Sequence, residues 1–189
     1  MPENRLKLYE TFIELLCSGW DLAKGLQRRS RLKAEFKILV LRKVAFLTHL
    51  ARRKAFRQKE LNQVVSELDL RISADGVDIL LDELTADGVI HRSGEGFEFR
   101  HLSLQEYLAA LEIFSDPSKE SANGCLVSFL EGDQWWRDVV EFYVLLIRNP
   151  VAAVRWIVAQ MKASKLNDST AVGNCDHLKR LVRQGFSGL

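Results

Sequence analysis

Phe97-Glu98-Phe99-Arg100-His101-Leu102-Ser103-Leu104-Gln105-Glu106-Tyr107-Leu108-Ala109-Ala110 reads as a short strand running straight into a helix. Phe97, Phe99 and His101 alternate with Glu98 and Arg100, the period of a half-buried strand, and the histidine falls on the apolar face. Two residues later the period changes. Leu104, Tyr107, Leu108, Leu111 and Phe114 follow helical spacing, so one stripe of this segment is expected to face a core. Ser103 with Glu106 three residues on has the spacing of a capping box, which predicts a helix start at Ser103. A histidine just ahead of a helix N-terminus lies near the positive end of the helix dipole, where an anion such as a phosphate is favoured. The same pattern is also that of a half-buried strand-end histidine bonded to a nearby carbonyl.

Working outward, Val89-Ile90-His91-Arg92 and Phe97-Glu98-Phe99-Arg100 flank the turn Ser93-Gly94-Glu95-Gly96, a predicted hairpin. Ahead of it, Leu61, Val64, Val65 and Leu68 predict a short helix, and Val77, Leu80, Leu81 and Leu84 another, with Ser73 as its expected cap. Helix, turn, helix and a two-stranded β-wing form the order of a winged helix, which raises DNA binding. The charges argue against that reading. The second helix carries Asp75, Asp78, Asp82, Glu83 and Asp87, and no lysine or arginine stands between Ser73 and Gly88. A helix of that sign entering a major groove is repelled by the phosphates.

The flanks are helical. Leu8, Phe12, Leu15, Leu16 and Trp20 mark a first helix, and Phe36, Leu39, Val40, Val44, Leu47 and Ala51 a second, with a polar loop over 24–33 between them. Arg28, Arg29 and Arg31 in that loop, and Arg52, Arg53 and Lys54 after the second helix, read as solvated runs, the alternative being contact with an acidic surface elsewhere in a longer protein or with phosphates. Ser115-Asp116-Pro117-Ser118 is a helix stop and restart with the proline at a first helical position. A short apolar run over 125–130 follows. Trp135 to Leu146 and Val151 to Met161 then predict two antiparallel helices around Asn149-Pro150, 165–174 a loop, and His177 to Phe186 a short last helix.

The 189 residues, 47% of them hydrophobic, suffice for a buried core, so the fold class expected is mainly α: a helical subdomain (1–52), a winged helix (53–115) and a further helical subdomain (116–189). A net charge of +2 gives no general case for nucleic acid. Three dispersed cysteines, Cys17, Cys125 and Cys175, support neither a disulfide framework nor a metal knuckle, and Cys175 with His177 is a spacing of little specificity for metal. A reducing, cytoplasmic setting is expected, with no signal peptide and no apolar run of membrane-spanning length. No glycine-rich phosphate loop and no magnesium site is written in the sequence, and no histidine adjoins a nucleophile, so neither catalytic nor metal-binding residues are expected.

The motif from Phe97 to Ala110 resembles the strand-to-helix corner of the winged-helix domain in NACHT-type signalling NTPases, the class of bacterial defence ATPases and animal NLR receptors. Their pattern is Phe-x-Phe-x-His, one residue, Ser or Thr, an apolar residue, Gln-Glu, an aromatic, an apolar residue and Ala-Ala. Pro2, Asn4, Arg5, Leu8, Tyr9 and Glu10, with Leu15, Leu16, Trp20 and Asp21, are similar to the turn and helix that follow the nucleotide-binding core in that family. The resemblance extends loosely to Arg137. It implies that the chain begins almost at that junction, as a fragment of a longer protein. It also implies that His101 reaches the β-phosphate of ADP, with Ser103 and Glu106 supporting the helix that presents it. ADP or ATP with magnesium is then expected in the parent protein and no cofactor in this chain. The implied partner is the nucleotide-binding domain of the same polypeptide, oligomerisation belongs to the parent, and neither DNA nor a membrane is a partner. The alternatives are a DNA-binding winged-helix regulator and a helical protein-interaction scaffold.

Overall fold

The computed structural model describes residues 2–21, 26–27, 30–70 and 75–185. They are mainly helical, and divide into two compact units, one of residues 9–109 and one of 1–8 with 110–189. The boundary expected near residue 52 falls inside the first of these, and the division at 109–110 lies a few residues ahead of the one expected at 115.

In the 9–109 unit, α1 (Pro2–Cys17) contributes its later turns, and β1 (Trp20–Asp21) pairs antiparallel with β2 (Leu26–Gln27). Then follow α2 (Ala34–Leu50), β3 (Ala55–Phe56), α3 (Gln58–Glu67), α4 (Gly76–Ala86), β4 (Ile90–Ser93), β5 (Gly96–Phe99) and the start of α5 (Leu102–Ser115). From α2 to β5 the order is helix, strand, helix, helix, strand, strand, with a three-stranded antiparallel sheet in the order β3-β5-β4, which is winged-helix topology. The predicted wing is present with Ser93 opposite Gly96 and Ile90 opposite Phe99. The third strand, Ala55–Phe56, was not foreseen. It pairs with Glu98 and Phe97, and Phe56 is buried with its ring 6.0 Å from that of Phe97 and 5.8 Å from that of Phe99. The hairpin turns at Gly94 (φ +56°), a left-handed conformation that glycine adopts without strain. Ser73 lies outside the described residues.

α2 buries only part of the face expected of it, Val40 and Val44. Lys37, Val40, Leu41, Val44, Ala45 and Thr48 turn inward, while Leu47 is exposed and Phe36 and Leu39 are only partly covered. The reason is polar. The fully buried Lys37 ammonium donates to Asp87 Oδ2 at 2.7 Å and lies 2.8 Å from Glu83 Oε2, both on or just beyond α4. Glu83 also accepts from Ser30 Oγ and the Arg31 backbone N–H, each at 2.6 Å. Burial alone would pull the Lys37 pKa down, but the bonds to Asp87 and Glu83 outweigh it and hold the pKa above the usual lysine value. For Glu83, burial works upward, while the bonds from Lys37, Ser30 and Arg31 bring it, on balance, below the usual carboxylate value. On α1, Leu8 is 64% exposed and so leaves the predicted apolar stripe.

In the other unit, α5 ends at Ser115 and α6 (Glu120–Leu130) begins after four intervening residues, so Pro117 sits in the turn between them instead of opening a helix. A 3-10 turn (Gln134–Trp136) leads into α7 (Arg137–Leu146), followed by α8 (Pro150–Ala163) and α9 (Ser169–Gly185). Asn149 accepts from the Ala152 N–H and precedes a proline at the first helical position, which fixes the start of α8. The expected loop over 165–174 is largely helix, because Asp168 caps Ala171 at 2.9 Å and Ala171, Cys175, Leu178 and Val182 bury one face of α9. Phe114, expected in the core, is 44% exposed with its ring against Tyr143.

Candidate functional site

The corner between β5 and α5 is built from both ends. Arg100 N–H donates to Val89 O at 2.9 Å, closing the sheet one residue before His101, and His101 O accepts from Leu104 N–H at 3.0 Å, closing the first turn of α5. His101 is therefore held by its own backbone on each side while its side chain is exposed, at the positive end of a 14-residue helix. It does not turn into the apolar interior with Phe97 and Phe99, although the alternation would put it there.

The helix begins at Leu102, one residue ahead of Ser103, so Ser103 occupies the first turn and not the flanking position. Glu106 is buried. At the start of α3, Glu60 accepts from the Arg57 N–H at 2.9 Å and also takes the Arg53 guanidinium.

Gln105 ties this corner to the rest of the winged helix and was not singled out by the sequence. Fully buried, its Nε2 donates to Thr48 Oγ1 at 2.9 Å and to Arg53 O at 2.8 Å. Thr48 in turn donates to Val44 O at 2.8 Å. One amide thus fixes the end of α2 and the turn after it against the first turns of α5, bringing the exposed Arg52, Arg53 and Lys54 to the element that carries His101. A polar residue inside an apolar helix stripe is the only sign of such a tie in a sequence, and it does not name the partner.

The other histidines are not brought to this corner. His49 is buried on α2, His91 lies on β4, and His177 Nε2 sits 2.8 Å from Glu141 Oε1 on α7. A cavity of about 260 Å³ lined by Gly19, Ser30, Arg31, Asp82, Glu83, Ala86 and Asp87 includes no residue of the β5–α5 corner. Among the described residues no three His, Cys, Asp or Glu side chains are placed to hold a metal, and no helix is long and apolar enough to cross a membrane.

On α4, at the position of a DNA-reading helix, Asp75, Asp78 and Asp82 are exposed. Glu83 and Asp87 are spent on Lys37. Compared with known proteins, the chain matches no family model and no curated protein.

Proposed function

We propose that this chain is the regulatory helical and winged-helix portion of a NACHT-type NTPase, reading ADP against ATP in a neighbouring nucleotide-binding domain and controlling a closed-to-open switch. The observation that carries the reading is the exposed His101 at the mouth of α5, on a winged helix whose second helix is acidic. In the ADP state the His101 imidazole donates to a phosphate oxygen at the α5 N-terminus, and that bond holds the winged helix against the nucleotide-binding domain of the same polypeptide. Exchange for ATP withdraws the contact and frees the arm for assembly of the parent protein. Magnesium and the phosphate loop are supplied by the parent, and this chain is not itself an enzyme. Three cysteines kept as buried free thiols suit a reducing cytoplasm.

One or two charge-assisted hydrogen bonds of roughly 1.5 to 3 kcal/mol each are enough to bias a two-state arrangement by about one to four orders of magnitude. In the full-length polypeptide, His101→Ala is expected to shorten ADP retention and raise basal activity. Unchanged ADP affinity removes His101 from the phosphate site. Titration of this chain with duplex DNA at two salt concentrations tests the DNA-binding alternative, since affinity that tightens steeply as salt falls supports a nucleic-acid reader.

A further inference from the structure

In the unit of residues 1–8 and 110–189, the carboxylate of Glu141 on α7 is 6% exposed and held from several sides. It accepts from Arg5 Nη1 at 3.1 Å, Arg137 Nε at 3.0 Å and meets His177 Nε2 at 2.8 Å. The Arg5 guanidinium also donates through Nη2 to Asp138 Oδ1 at 2.5 Å and lies 4.5 Å over the ring of Phe142. These contacts to α7 help hold the first turn of α1. The grouping of the chain changes just beyond them. Residues 1–8 belong with 110–189, whereas Tyr9 onward belongs with the other unit, although α1 is one continuous helix from Pro2 to Cys17.

We propose that Arg5 is a releasable clasp, an ion-paired latch that pins the first turns of α1 to α7 and can open without leaving a buried charge alone. Breaking a buried pair is ordinarily prohibitive because one partner is stranded. Here the stranded partner would be Glu141, and it keeps Arg137 and His177 when Arg5 leaves. The side chains of Arg5 and Asp138 are 35% and 36% exposed, so water takes both up again. The clasp therefore opens at the energy of a partly exposed pair, while Glu141 is fixed by the groups around it. This is independent of the nucleotide reading. Where both hold, it adds a second contact that a switch can release.

Hydrogen exchange of the amides of Leu6, Lys7 and Leu8 in the whole chain tests it. Arg5→Gln is expected to speed their exchange about tenfold, the factor that partly exposed ion pairs and a cation–π contact together sustain, with the thermal midpoint of the chain little changed. Asp138→Asn, which removes only the exposed half, speeds it less, and raising salt moves the wild-type chain the same way. Glu141→Gln instead lowers the midpoint. Unchanged exchange at these amides in Arg5→Gln overturns the proposal, as does a midpoint that falls as far in Arg5→Gln as in Glu141→Gln. Should Arg5→Gln fail to fold, the clasp is refuted as releasable, and unchanged exchange in Asp138→Asn refutes it separately.

Discussion

Replacing Lys37 by methionine removes a cation that bridges Glu83 and Asp87 in a place where the ammonium is fully buried. Methionine fills nearly the same volume, so the effect is electrostatic and not a cavity. Losing one member of a buried ion group costs about 3 to 5 kcal/mol. The lower end is expected here, because Glu83 keeps its bonds from Ser30 and Arg31. A loss of about 3 kcal/mol lowers the melting temperature of a chain this size by on the order of 10 °C. Urea denaturation followed by tryptophan fluorescence measures it at several pH values. With the Glu83 pKa lowered, its stabilisation is present above the ordinary carboxylate range and is lost as pH falls through the lowered value. With the Lys37 pKa raised, its stabilisation is present below the ordinary lysine range and is lost as pH rises through the raised value. The gap between wild type and variant is therefore widest from about pH 5 to pH 10. It closes on acidification, where the carboxylates left behind in the variant take up protons. Adding Asp87→Asn to Lys37→Met should recover most of the loss. A variant within about 1 kcal/mol of wild type at pH 7, or a gap of the same size at pH 7 and pH 4, refutes the assignment of this triad as an ionised core element.

Two glycine substitutions should move stability in opposite directions. A Cβ on Gly96 would lie 2.5 Å from the backbone oxygen of Phe56, so Gly96→Ala forces β3 away from β5 and is expected to cost about 2 kcal/mol in urea unfolding. Gly124 in α6 has open space around its would-be Cβ, so Gly124→Ala should stabilise by about 0.5 to 1 kcal/mol in the same assay. Burial pushes the thiols of Cys17 and Cys125 up to about 12, and Cys175 is buried too. None of the three should react with a disulfide reagent at pH 8 in the folded chain, and all three should react in denaturant.

Periodicity carried the elements whose burial is set locally. The hairpin around Gly94, and α5, α7 and α8, follow from apolar spacing and turn residues that each segment holds within itself. What was not legible depends on partners far away in sequence. Ala55–Phe56 is too short to show a period and is a strand only because Phe97 and Glu98 pair with it. The first half of α9 looks like a loop by composition, and becomes helix because small residues, Ala171 and Cys175, suit its packed face. Lys37 reads as a surface charge until Glu83 and Asp87, about fifty residues on, are brought to it. At the candidate site the strand, the helix and the histidine between them could be read. The outward turn of His101, the start of α5 at Leu102 and the tie through Gln105 could not, since each is decided by backbone closure or by a buried partner.

The charges of the winged helix bear on what it can meet. Of the acids on and after α4, Glu83 and Asp87 face inward to Lys37, and Asp75, Asp78 and Asp82 remain outward. The pattern that defeats a groove-reading helix is thus partly a by-product of building the core. Exposed cations lie on other elements, among them the turn of Arg52, Arg53 and Lys54, which Gln105 fastens to α5 through Arg53 O. Arg53 is engaged with Glu60 at 2.5 Å, which offsets its charge and occupies its donors. A phosphate approaching α4 meets like charge, and one approaching the strand-to-helix corner meets a helix N-terminus and an imidazole. A duplex would need the first surface, whereas the nucleotide of the proposed function would need only the second.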